Sequence, residues 1–175
     1  MKNIIQPIVV TMGDPSGIGI EVTLRAWKNR KIKHPFFLIH DYSYVKKIIK
    51  KMKINIPLKL ISEPNQAVKT YKNFLPIYQL EVAKNTQLGK PNKQNAKVIL
   101  KSIDMALKFI QSGEVAAMVT NPIAKNIINY ASKNFTGHTE YLAKKSKSKN
   151  FCMMLINDTI RVIPLTIHIC LLYTS

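Results

Sequence analysis

Three stretches of the 175-residue chain combine reactive side chains with a spacing that lets them act together. The first is Gly13-Asp14-Pro15-Ser16-Gly17-Ile18-Gly19, at a point where an apolar run gives way to helical spacing. A helix start offers unpaired N–H groups and the positive end of a dipole, so a phosphate or carboxylate suits it. The spacing matches neither G-x-G-x-x-G nor the P-loop, and a tight βα turn reads the same way. Asp14 fits an Asx turn as well as an acid or base. The second stretch is Gly137-His138-Thr139-Glu140, where Thr139 can cap a helix with the His138 imidazole at its mouth, a pairing suited to oxyanion recognition. The third is His168, closing the apolar run Ile160 to Ile167. In an α/β sheet ligands gather beyond the strand ends, and histidine is the commonest nitrogen ligand for a transition metal. A hydrogen-bonded interior histidine fits that position too. Lys125, just after Thr120-Asn121-Pro122, can offer a compact charge to a phosphate, although lysine is abundant throughout. His34 and His40 have no comparable context.

These groups need strands and helices to hold them. Ile8 to Met12, Phe36 to Ile39 and Leu58 to Ile61 are short apolar runs expected to be strands. Phe74 to Leu80, interrupted by Pro76, suggests an edge strand or an irregular segment. Ile20, Leu24 and Trp27 recur at helical spacing, as do Val45, Ile48, Ile49 and Met52, whose opposite face is a solvated lysine run. Asn92 is placed to cap a long amphipathic helix, striped by Ala96, Ile99, Leu100, Ile103, Leu107 and Ile110 and closed by Gly113. Val115 to Thr120 reads as a fully apolar, buried strand, followed by a helix from about Ile123. Strands alternating with helices imply an α/β fold with a mostly parallel sheet. Phe151 to Ile156 and Thr159 to Ile167, parted by Asn157-Asp158, suggest an antiparallel hairpin, with Cys152 a small core residue. The pattern changes near residue 122, which divides the chain into a first lobe, 1–122, and the start of a second, 123–169.

The composition, 46% hydrophobic and 21% charged, supports a packed core rather than a disordered chain. The net charge of +18 invites an anionic partner. Yet 24 of the 27 basic residues are lysine and only three are arginine, which disfavours nucleic acid, whose readers use the arginine fork. No stretch approaches the ~20 apolar residues that span a bilayer, and Met1 to Gln6 lacks a secretory h-region, so a cytoplasmic protein without membrane or nucleic-acid partners is expected. Residues 170–175, Cys-Leu-Leu-Tyr-Thr-Ser, are what TGT CTC TTA TAC ACA TCT encodes, the mosaic end of a transposon used in sequencing libraries. The native reading is therefore expected to end near Ile169, leaving Cys152 as the single native cysteine.

In combination, Met12-Gly13-Asp14-Pro15-Ser16-Gly17-Ile18-Gly19-Ile20-Glu21, Thr120-Asn121-Pro122-Ile123-Ala124-Lys125, Phe135-Thr136-Gly137-His138-Thr139-Glu140-Tyr141 and Thr166-Ile167-His168 resemble the 4-hydroxythreonine-4-phosphate dehydrogenase family of vitamin B6 biosynthesis. The likeness runs from Pro7 to Ile169 and corresponds to an N-terminal fragment, roughly half of a family member. It implies a two-lobed, isocitrate-dehydrogenase-like α/β fold and a homodimer in the full-length protein. It also implies NAD and a divalent metal cation (Zn, Mg or Co) as cofactors, with a phosphorylated small molecule, 4-phosphooxy-L-threonine, oxidised and decarboxylated. Residue by residue, His138 and Thr139 match the family's substrate-binding pair and His168 the first of its three metal histidines. The remaining catalytic and cofactor-binding groups are expected beyond this fragment, which is itself expected to be inactive. The chain departs from the family at Ile167, where a threonine is frequent, and at Cys170-Leu171, where Pro-Leu is typical. Alternatives are a sister dehydrogenase of phosphorylated threonate or erythronate, and a basic nucleic-acid- or phosphate-binding module without catalysis.

Overall fold

The computed structural model describes residues 5–29, 32–133 and 135–164. The chain parts into two compact units, Met1–Thr136 and Gly137–Ser175. The first holds a five-stranded parallel sheet of β1 (Ile8–Val10), β2 (Phe36–His40), β3 (Leu58–Ile61), β4 (Leu75–Gln79) and β5 (Ala117–Val119), in the order β3-β4-β2-β1-β5. Helices α1 (Gly19–Lys28), α2 (Tyr42–Lys51), α3 (Gln66–Thr70), α4 (Ala96–Gln111) and α5 (Lys125–Ile128) follow in chain order.

The pleat sorts the central strand's side chains between two cores. Phe36 and Leu38 join Ile20, Leu24 and Trp27 of α1 and Val45 and Ile48 of α2. Phe37 and Ile39 face the other way, with Ala67 of α3 and Ala106 of α4. A strand buried on both faces has no polar alternation to show, and β2 has none until His40. The helices end where their sequences say they should: Asp41 caps α2 by accepting from Tyr44 N at 2.9 Å, and Gly113, at φ 72°, closes α4. Asn92 caps only a short 3-10 turn, Lys93–Asn95, that leads into α4.

Two strands differ from their expected places. β4 is interior rather than an edge, lying between β3 and β2. Pro76 is tolerated because Leu75 N–H donates to Pro57 O on the β3 side, and pairing with β2 begins one residue past the proline, at Leu38↔Ile77. By alternation the missing donor faces β2 just before that ladder starts. β5 is the outer strand and is not buried: Met118 packs into the core under α4, whereas Ala117 and Val119, on the opposite face, are exposed. Nor does packing divide at residue 122. Ile127 and Ile128 of α5 are buried and α5 packs on α4, so 123–136 belongs to the first unit.

The second unit contains α6 (His138–Ser146), ended by left-handed Lys147, and the antiparallel hairpin of β6 (Leu155–Ile156) and β7 (Arg161–Val162). Its turn is an Asx turn, with Asn157 Oδ1 accepting from Thr159 N at 2.9 Å and Ile160 N at 2.7 Å. Cys152 is exposed rather than a core residue, because the apolar run around it is itself exposed. His168 and residues 170–175 lie outside the described residues.

Candidate functional site

In an open parallel sheet, ligands approach the carboxyl ends of the strands, chiefly where the chain leaves one strand in one direction and returns on its other side. Here that place lies between β1 and β5. The turn after β1 is closed tightly: Gly13 has φ +68°, and a Cβ added there would stand 2.6 Å from Asn121 Cβ and 2.8 Å from Pro122 O. A Cβ on Gly19 would meet Asn121 Cβ at 2.9 Å. These glycines are required by a protein side chain rather than by a ligand.

Asn121 is buried at the end of β5. Its Nδ2 donates to Thr11 O and Thr23 Oγ1, both at 3.0 Å, and its backbone N donates to Thr11 Oγ1 at 3.2 Å. Thr23 has one hydroxyl proton, and Gly19 O accepts it at 3.0 Å, which leaves Thr23 Oγ1 as the acceptor for Asn121. Asp14 N donates to Pro122 O at 2.8 Å. The carboxamide of Asn121 thus fills the crevice where a doubly wound fold places a phosphate, tying the ends of β1 and β5 to the start of α1. Asp14 Oδ1 accepts from Ser16 N at 2.8 Å, so the carboxylate shapes the turn. The turn is also roofed, since Ser16 O accepts from Gly89 N at 2.7 Å and Pro15 O from the Tyr44 hydroxyl at 2.9 Å.

His40, at the carboxyl end of β2, has a context that the sequence reading missed. It is fully buried and stacked on Tyr44, ring centroids 5.6 Å apart. Its Nδ1 accepts from Asp41 N at 2.8 Å, which assigns the proton of the neutral ring to Nε2. Burial pulls its pKa down to about 4, against a smaller opposing effect of Asp41. Burial, then the nearby Asp14 carboxylate, push the Tyr44 phenol up to about 12. His40 Nε2 and Ser16 Oγ are buried with no hydrogen-bond partner among the described residues. The signal was available: His40 closes an apolar run of the sequence, as His168 does. His34, by contrast, is exposed at Gln6 O, 2.8 Å away.

The second unit carries the His-Thr pair. His138 is the first residue of α6, and Gly137, not Thr139, is the N-cap, with no side-chain cap bond. Thr139 stands one position into the helix because the extended backbone is at Gly137, φ 177°. Burial lowers the His138 pKa below 6.5, so the ring is neutral near pH 7 and can both donate and accept. Glu140 in the first turn already complements the helix dipole. Lys125 is the exposed first residue of the short α5. No three His, Cys, Asp or Glu side chains converge among the described residues, so this donor set does not by itself fit a cation.

A family model described as "Pyridoxal phosphate biosynthetic protein PdxA" matches residues 31–174. The 4-hydroxythreonine-4-phosphate dehydrogenase of Zymomonas mobilis subsp. mobilis is 33% identical over 168 residues, covering 94% of this chain and 49% of that protein. Its counterpart from Methylorubrum extorquens is 34% identical over 175 residues, covering 95% and 50%. The crystal structure of 4-hydroxythreonine-4-phosphate dehydrogenase from Klebsiella pneumoniae superposes with a TM-score of 0.87 at 25% identity, over 95% of this chain and 52% of that one. The chain spans about half the length of the curated relatives it matches.

Proposed function

The chain belongs to the PdxA family, and from that membership we propose that, within a protein of its relatives' length, it supplies part of the substrate site of a dehydrogenase in pyridoxal phosphate biosynthesis. The proposed substrate is 4-phosphooxy-L-threonine, and the setting a soluble homodimer in the cytoplasm. The proposed reaction is oxidation of the substrate hydroxyl and loss of CO₂, for which a bound NAD would supply the hydride acceptor and a bound divalent cation would supply Lewis acidity, His168 being the proposed ligand from this chain. The observation that carries this reading is the family match, which runs through the His-Thr pair.

The chain's own contribution lies in binding and orientation. His138 offers a neutral ring at the start of α6, so it can bond to a substrate oxygen without a like-charge contest with a cation. The Thr139 hydroxyl stands beside it as a second small donor and acceptor. His168, outside the described residues, is proposed as one ligand of the cation, the rest of the ligand set coming from elsewhere in the protein. The glycine turn and Asn121 contribute shape, since the Asn121 carboxamide is spent on Thr11 and Thr23 and the turn closes directly against it.

The test is NADH formation from 4-phosphooxy-L-threonine with added divalent metal, measured on the protein at its relatives' length. Turnover is expected there, and His138→Asn is expected to lower kcat/KM by roughly 10²-fold, a loss of about 2.7 kcal/mol in transition-state binding. No turnover on that substrate, or a preference for phosphorylated threonate or erythronate, would overturn the assignment.

A further inference from the structure

A groove of about 740 Å³ lies between α2 and the loop at Thr86–Lys90. Half of the residues lining it are lysines and none is acidic, although lysine makes up only about one residue in seven of the chain. We propose that this groove binds a small molecule carrying several phosphates, at a site separate from the His-Thr pair.

The lysines come from two places. Lys47, Lys50 and Lys51 stand at i, i+3 and i+4 on α2 and therefore share one helix face. Like charges so placed destabilise a helix unless an anion lies between them. The helix dipole accounts for Lys50 and Lys51, which sit in the last turn. It does not account for Lys47, one turn earlier, nor for Lys90, which reaches the groove from a separate loop. Lys53 follows α2 in the left-handed region at φ 53°, a slot that favours glycine, and still lines the groove. None of these five ammonium groups has an ion-pair partner among the described residues.

The wall that brings Lys90 is anchored rather than loose. Gly89 N donates to Ser16 O at 2.7 Å, and Leu88 packs against the core of the first unit. Upstream, the fully buried Asn95 accepts from Ala83 N at 2.9 Å and donates to Thr86 Oγ1 at 2.9 Å. A fixed loop facing a fixed helix is a preformed concavity, and its volume falls within the range that holds a cofactor-sized ligand. Charge complementarity selects the ligand's chemistry, and the shape of the lining narrows it. Lysines are point charges that grip phosphate without reading a base. The one aromatic residue in the lining, Tyr44, is buried and stacked on His40, which leaves no platform for bases to stack on.

Isothermal titration calorimetry of the 175-residue chain with sodium tripolyphosphate tests this. Saturable binding is expected at ~150 mM salt, where exposed charges more than about 8 Å apart are largely screened. Lys50→Gln with Lys90→Gln is expected to weaken it about tenfold or more, whereas Lys108→Gln with Lys133→Gln, which removes equal charge from elsewhere on the surface, is expected to change it less than about twofold. Melting followed by circular dichroism checks that the variants fold, and Lys47→Gln with Lys53→Gln serves as a second groove pair. Equal losses in the groove and control pairs would overturn the proposal in favour of diffuse charge. Absence of saturable binding by the parent chain would also overturn it, as would tighter binding of duplex DNA lost in the same groove variants. None of these readouts depends on the dehydrogenase reading.

Discussion

The two units of the chain use apolar residues in opposite ways. In the first, Phe37, Leu38, Ile39, Leu75 and Ile77 are completely buried, and each strand of the sheet interior has a helix to face. In the second, Phe151, Met154, Leu155, Ile156, Ile160, Val162 and Ile163 are all exposed, most by half or more of their surface. A two-stranded hairpin cannot bury both its faces, and alone it is marginal in water. The first unit therefore carries its own stability, whereas the hairpin's side chains are made for a surface that the described residues do not supply.

Truncations should separate the two units most sharply. Phe37→Ala is expected to cost about 3–5 kcal/mol in urea unfolding, from lost transfer energy and the cavity left behind. Leu155→Ala is expected to cost about 0.5 kcal/mol or less, as for an exposed site. Equal costs would mean that the hairpin is covered in solution. The same contrast holds at single glycines. Gly13→Ala is expected to cost about 3 kcal/mol, since it combines a left-handed backbone with a clash against Asn121 and Pro122. Gly89→Ala, at φ +76° with nothing within 4 Å of the added Cβ, is expected to cost about 1 kcal/mol. A cost at Gly13 no greater than at Gly89 would dissolve the packing account of the turn.

The smallest effect is a pH dependence, read on one histidine from each unit. His40 is lowered from 6.5 to about 4 by burial, so the folded state resists a proton that the unfolded chain accepts. Its contribution is complete above pH 6.5 and is lost as the pH falls from there towards 4. The stability of His40→Gln should decline less between pH 7 and pH 5 than that of the parent. His138 is shifted in the same direction, also by burial, and is only partly buried. NMR titration of the two rings should find His138 protonating at the higher pH, and the reverse order would show that the second unit encloses its histidine more fully.

Much of the first unit was legible in its letters. A period of 3.6 in α1, α2 and α4 and short apolar runs for the strands are local signals, and each element obeys its own. The errors fell where a neighbour decides. Pro76 suggested an edge, but whether a missing N–H matters depends on where pairing with β2 begins. Val115 to Thr120 looked buried, but burial of β5 depends on what lies beyond it. Cys152 looked buried by the same logic and is exposed. Thr139 looked like a cap, and one residue of extended backbone at Gly137 moved that role. The candidate site was half visible: His138 and Thr139 could be named from type and spacing, whereas the role of Asn121 could not, because its partners Thr11 and Thr23 lie 110 and 98 positions away; His40 meets Asp41 and Tyr44, both close in sequence, and only its complete burial depends on the fold.

The sequence alone determined helices α1, α2 and α4, strands β1, β2 and β3, the parallel α/β class, the hairpin turn at Asn157 and the family, because periodicity, turn chemistry and motif order are carried by neighbouring residues. Only the tertiary structure decided strand order, the closing of the crevice by Asn121, the isolation of His40 and the meeting of Lys90 with α2. Those outcomes depend on contacts between residues up to 110 positions apart, such as Thr11 and Asn121, and long-range contacts of that kind have no local signature.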